Sequence, residues 1–158
     1  MAITARKFVR LSLLVLAAFL VVAQLVPVDR SNPPSDPQQH FLAVTRPPTV
    51  VAQAINRSCR DCHSNDTTWP WYSRVAPVSW FLVHDVNEGR SHLNLSEWGT
   101  LDARRSSRKL EEMCEMVESG EMPMGKYVLL HPSAKLSAGE IKAICGWTEE
   151  ALANTPKR

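Results

Sequence analysis

Five consecutive residues carry the strongest chemical signal in the chain: Cys59-Arg60-Asp61-Cys62-His63. Two thiols three residues apart share one side of a helical turn, and an imidazole follows the second at once. The C-x-x-C-H pattern is that of c-type haem attachment. Each thiol can close a thioether to one vinyl group of a single haem, and the adjacent histidine then reaches the iron as proximal ligand. Other readings use the same cysteines. A thioredoxin-like redox pair needs a βαβ setting, whereas the preceding VVAQAINRS stretch has a helical pattern. A zinc site would add Cys114 and Cys145, which are single and far apart rather than a second close pair. A structural disulfide within the C-x-x-C turn is the remaining one.

A second axial ligand must offer a soft sulfur or an imidazole. Met122 leads, in the turn-rich loop Gly120-Glu121-Met122-Pro123-Met124-Gly125. A proline after the methionine fixes the loop, so that a thioether is held at little ordering cost. His84 and Met124 compete, and His92, His131 or an open position follow. Met113 and Met116 lie on a helical stripe and read as core. The expected metal ligands are therefore His63 and Met122. Four of the five tryptophans, Trp69, Trp71, Trp80 and Trp98, lie between residues 64 and 98. Flat side chains can wall a flat cofactor, and Arg74 and Arg90 can pair with propionates. Trp69, Trp80 and Arg90 join Cys59, Cys62, His63 and Met122 as expected cofactor-binding residues. Ordinary core packing, or a solvated surface position, is the alternative for each tryptophan and arginine.

The elements that must position these residues begin with a leader. Residues 11–28 hold fifteen apolar residues in eighteen and no charge, with Arg6, Lys7 and Arg10 before them. The run lies between a signal peptide and a membrane helix in length. Its lack of a good small-x-small site favours an uncleaved anchor over residues 1–28. The preceding positive charges put the N-terminus in the cytoplasm and the rest of the chain outside. Residues 29–48 hold Pro33, Pro34, Pro37, Pro47 and Pro48, and read as an extended spacer in which His40 is a solvated bystander. The haem-binding domain is expected over 49–153, with a tail over 154–158.

Within that domain Leu110, Met113, Cys114 and Val117 follow the i, i+3, i+4, i+7 spacing of an amphipathic helix, and Gly120 is a plausible stop. Ser137-Ala138-Gly139-Glu140 reads as a capping box, followed by the stripe Ile141, Ile144, Cys145 and Leu152. No strand pattern is convincing, so the fold class is all-α. Cys114 and Cys145, both on apolar faces, either pair as a disulfide in an oxidising compartment or remain two buried thiols. Asn65-Asp66-Thr67 and Asn94-Leu95-Ser96 match the glycosylation pattern.

Charge separates along the chain. The net charge is +2, but residues 1–30 hold four basic residues against one acid, which leaves 14 basic and 15 acidic residues beyond them. That near-neutral remainder argues against a nucleic-acid surface. It is also too small for a large catalytic machine unless a cofactor does the chemistry.

As a set, the motifs resemble the bacterial haem-binding domain family, small exported or membrane-anchored c-type cytochrome-like proteins. The residues that carry the resemblance are Pro27-Val28-Asp29-Arg30-Ser31-Asn32-Pro33, Cys59-x-x-Cys62-His63-Ser64-Asn65, Trp69-Pro70-Trp71-Tyr72 and Ala76-Pro77-Val78-Ser79-Trp80. It continues through His84-Asp85-Val86, Glu88-Gly89-Arg90, Leu93-Asn94, Ser96-x-Trp98, Gly120-Glu121-Met122-Pro123, Tyr127 and His131-Pro132. The resemblance implies one covalently bound haem outside the cytoplasm. The helix order resembles the class I cytochrome c plan, in which terminal helices pack together, placed after an N-terminal membrane helix and a Pro-rich linker. The leading expectation is a single-electron carrier in the periplasm, tethered to the bacterial inner membrane and serving redox partner proteins, without nucleic acid. A soluble periplasmic form after cleavage is the alternative location. The alternative functions are a haem-based sensor or gas binder with a weak sixth ligand, or a peroxidase-like enzyme using His84 with Glu88. An electron carrier is favoured over an enzyme.

Overall fold

The computed structural model describes residues 2–154, whose regular elements are all helical, with no strand among them. The helices are α1 (Ala2–Ala23), α2 (Phe41–Thr45), α3 (Thr49–Ser58), α4 (Arg60–His63), α5 (Val78–His92), α6 (Ala103–Glu118), α7 (Gly125–Leu130) and α8 (Ala138–Ala153). Short 3-10 turns cover Trp71–Arg74, Leu95–Thr100 and Pro132–Ala134. The chain divides into two compact units, Met1–Ser31 with Trp69–Asp85, and Asn32–Thr68 with Val86–Arg158. Of the expected tail over 154–158, all but Asn154 lies outside the described residues.

The first unit is built on α1, whose side chains from Arg6 to Val22 are exposed. The expected membrane helix is corrected in one respect. Among the described residues, no helix is long and apolar enough to cross a membrane. The cause is where the helix begins and ends. Arg6, Lys7 and Arg10 lie inside it and it stops at Ala23, so the charge-free part is only Leu11 to Ala23. Gln24 marks the stop. Its Nε2 donates to Leu20 O (2.8 Å) and to Ala76 O (3.0 Å), and its Oε1 accepts from Ala76 N (3.0 Å). Arg30 adds a bond from its guanidinium to Ser73 O (3.2 Å).

The second unit holds the main core: Phe41, Val51, Ala54, Ile55, Leu95, Trp98, Leu110, Met113, Val117, Leu136, Ile144 and Cys145. Helix α6 starts at Asp102, whose carboxylate accepts from Arg105 N (2.8 Å). It buries the stripe Leu110, Met113 and Val117, and Gly120 ends it in the left-handed region at φ 76°. Helix α8 carries the capping box: Ser137 Oγ accepts from Glu140 N (3.3 Å) while the Glu140 carboxylate accepts from Ser137 N (2.8 Å). α8 packs on both α3 and α6. Arg57 and Glu140 pair across α3 and α8 at 2.8 Å, and Cys114–Cys145 is a disulfide joining α6 to α8. The Ser137 backbone N–H, helped by Arg57, pulls the Glu140 carboxyl down to about 2.

The proline-rich stretch departs from the extended spacer expected over 29–48. Residues 32–48 belong to the second unit. Phe41 is fully buried and stands edge-on to Trp98 (4.7 Å) and Trp147 (5.6 Å). Gly99 N donates to Gln39 O (2.8 Å). His40, expected as a solvated bystander, caps α2: its Nδ1 accepts from Leu42 N (3.2 Å), and burial lowers its basicity. One large aromatic side chain outweighs the extended preference of the flanking prolines, because burying it in a packed aromatic cluster recovers several kcal/mol, ~3–5 by core truncation series.

Candidate functional site

Helices α3 and α4 are almost one helix. Cys59, at φ −120°, interrupts them for a single residue, yet its N–H still donates to Ile55 O (2.9 Å) and its carbonyl accepts from His63 N (2.9 Å). This keeps Cys59, Cys62 and His63 on one turn. Neither cysteine is in a disulfide. Burial, reinforced by the neighbouring Cys62, pushes the Cys59 thiol up to about 12. A thiol–disulfide exchange site needs the opposite shift, and no strand among the described residues provides the thioredoxin setting. The four-cysteine zinc site also falls, because the sulfurs of Cys114 and Cys145 are bonded to each other.

His63 is oriented by backbone. Its Nδ1 lies 2.8 Å from Gly89 O and 3.1 Å from Leu93 O. Carbonyl oxygens only accept, so Nδ1 carries the proton and donates, which leaves the lone pair on Nε2. Burial lowers the basicity of the ring against the pull of those two carbonyls, which favours the neutral imidazole. Helix α5 reaches His63 this closely because residue 89 is glycine. A Cβ there would stand 2.6 Å from Cys62 O and 3.1 Å from its carbonyl carbon. Any other residue would push α5 off the turn.

The chain leaves His63 through a buried polar network. Ser64, Asn65 and Thr67 are buried. Arg90 donates through Nε to Ser64 O (2.8 Å) and through Nη2 to Thr67 Oγ1 (2.8 Å) and Asn32 Oδ1 (2.9 Å). Asn65 N donates to Ser96 Oγ (3.0 Å), Asn65 Nδ2 to Pro34 O (3.1 Å) and Asn94 Nδ2 to Asn65 Oδ1 (2.9 Å). Arg90, read from sequence as a propionate partner, here pins the segment after His63. The glycosylation match at Asn65 meets a buried, bonded side chain.

Met122 and Met124 are half-buried in the loop between α6 and α7. Met122 N donates to Met116 O (3.0 Å), and Met124 is the residue before α7. Tyr127, the third residue of α7, donates its hydroxyl to Asp61 Oδ2 (3.1 Å), and Asp61 sits between the two cysteines. The methionine loop is thus joined at its exit to the cysteine turn. His131 stacks on Tyr127 at 4.5 Å. Trp98 is core, while Trp69, Trp71, Arg74, Trp80 and His84 belong to the first unit, with Trp71, Arg74 and His84 exposed. Trp80 Nε1 is buried with no hydrogen-bond partner among the described residues, an orphan donor of the kind a ligand acceptor satisfies. Glu88, the acid–base candidate, faces the exposed His92 at 3.6 Å.

A family model described as a haem-binding domain matches residues 18–150. The chain belongs to that family. The match therefore covers the cysteine turn, the polar network, the methionine loop and most of α8. No curated protein and no solved structure matches the chain. The residues present suit the cofactor: two thiols outside any disulfide on one turn, followed by an imidazole whose tautomer leaves the Nε2 lone pair for a metal. Gly89, Leu93, Asn65 and Asn94 escape a search for ligand-type residues. Only the clustering of Gly89-Arg90, Leu93-Asn94 and Ser96 as shared motifs hints at them.

Proposed function

We propose that the chain is a c-type haem protein that carries single electrons outside the cytoplasm. Cys59 and Cys62 are the thioether donors, His63 the proximal ligand and Met122 the sixth ligand. The observation that carries this reading is the double backbone acceptance of His63 Nδ1 beside two cysteines outside any disulfide. Bound haem would supply a one-electron ferric/ferrous couple. The chain's own residues do the positioning. Gly89 O and Leu93 O hold the imidazole in the metal-binding tautomer, as a ligating histidine needs. The Arg90–Ser64–Thr67 bonds fix the exit from the turn. A thioether from Met122, in place of a second imidazole, raises the reduction potential. Packing of α3 against α8 supports the class I plan of paired terminal helices. The exposed apolar surface of α1, with Arg6, Lys7 and Arg10 ahead of it, supports an inner-membrane anchor with the domain in the periplasm. The Cys114–Cys145 disulfide supports the same oxidising location.

The test is spectroscopic. Acid–acetone extraction of the purified protein should leave the haem on the chain, and haem that washes out refutes thioether attachment. The ferric protein should be low-spin with the far-red methionine–iron band, which Met122→Ala removes. A band that survives Met122→Ala moves the ligand to Met124, and a low-spin wild type without the band moves it to His84. A high-spin wild type replaces the carrier with a sensor or gas binder.

A further inference from the structure

Leu11 to Ala23 is thirteen residues, which at 1.5 Å each span about 20 Å. A bilayer core is about 30 Å thick. An anchor built on α1 alone is therefore short by a third. At its N-terminal end Lys7 and Arg10 can extend their stems toward the headgroups. At its other end the same unit supplies more apolar surface. Leu25 and Val26 follow the helix, with Leu25 77% exposed. The Gln24 amide then grips both backbone groups of Ala76, and Arg30 holds Ser73 O. The segment so gripped exposes Trp71 (78%), Val75, Val78 and Phe81 (66%). Large exposed apolar groups on a soluble surface mark an interaction site. Trp71 and Phe81 are the aromatic types that settle at the headgroup boundary, and the exposed Arg74 among them suits lipid phosphate.

We infer that Trp71, Val75, Val78 and Phe81 form a lipid-binding surface that enters the membrane interface beside the end of α1 and makes up its missing depth. The occupant is the bilayer, because the patch is continuous, through the Gln24 and Arg30 bonds, with a helix whose exposed surface is apolar. The inference rests on the anchor reading of α1. The full-length holoprotein in phosphatidylethanolamine–phosphatidylglycerol vesicles, carrying a photoactivated carbene probe in the acyl region, tests both. Tandem mass spectrometry should find label on Leu11 to Val22 and also on Trp71 and Phe81. Label on α1 with residues 71–81 clean overturns the patch and leaves the anchor standing. A clean α1 overturns the anchor, and the patch with it. The exposed pair change Trp71→Glu with Phe81→Glu should abolish label on residues 71–81, keep it on α1 and leave the haem spectrum unchanged. Undiminished label on 71–81 in that variant also overturns the proposal.

Discussion

The chain places two cysteine pairs in contrasting surroundings. Cys59 and Cys62 share one turn, stay outside any disulfide and rest against a helix that approaches to the backbone at Gly89. Cys114 and Cys145 come from different helices, 31 residues apart, and are bonded. The first pair lies on a turn that ends at His63; the second staples α6 to α8. Sequence separation alone does not sort them. What does is whether the fold presents a neighbouring imidazole or a facing thiol.

Removing the first pair should have the largest effect. Cys59→Ala with Cys62→Ala should eliminate covalently retained haem completely, as read by the haem band on a denaturing gel. Retained haem would break the contrast. Cys114→Ser with Cys145→Ser should keep one haem per chain but lower stability by about 3–4 kcal/mol in urea unfolding, the loop-closure value for such a span. Loss of haem in that variant would merge the two roles. Gly89→Ala comes next, at about 1–3 kcal/mol from forcing a methyl against Cys62 O, with a shifted iron spectrum because His63 loses its acceptor geometry. An unchanged spectrum would remove the backbone from the site.

The smallest effect concerns the stapled region. Glu140→Ala should cost about 1 kcal/mol at neutral pH, the value of a helix cap. The Glu140 carboxyl titrates near 2 in the folded chain against an ordinary 4.5, so its contribution is present above pH 4.5 and fades as pH falls toward 2. The stability gap between wild type and variant should therefore close over that range. A gap that stays constant would deny the carboxylate its role.

Much of this was legible from local or periodic signals. The C-x-x-C-H turn, the α6 stripe, the Gly120 stop, the Ser137–Glu140 box and the choice of Cys114 with Cys145 each depend on a few neighbours or on one face of a helix. The orientation of His63 was not legible, because Gly89 O and Leu93 O are backbone atoms and leave no side-chain signature. The bonds of Arg90 to Ser64, Thr67 and Asn32 were not legible for a related reason: a guanidinium serves carbonyls and propionates equally well. Residues 32–48 were read from their prolines, while their place in the fold depends on Phe41 meeting Trp98 and Trp147, far along the chain. The reach of α1 was overestimated because a hydropathy run continues through Val28 while the helix stops at Ala23.

The α6–α8 staple makes the fold conditional on its address. Disulfides persist where the surroundings oxidise and are lost where glutathione rules. A copy of the chain produced in a reducing cytoplasm would carry Cys114 and Cys145 as thiols and go without the cross-link, so the redox state of this one bond records the compartment in which a given molecule matured.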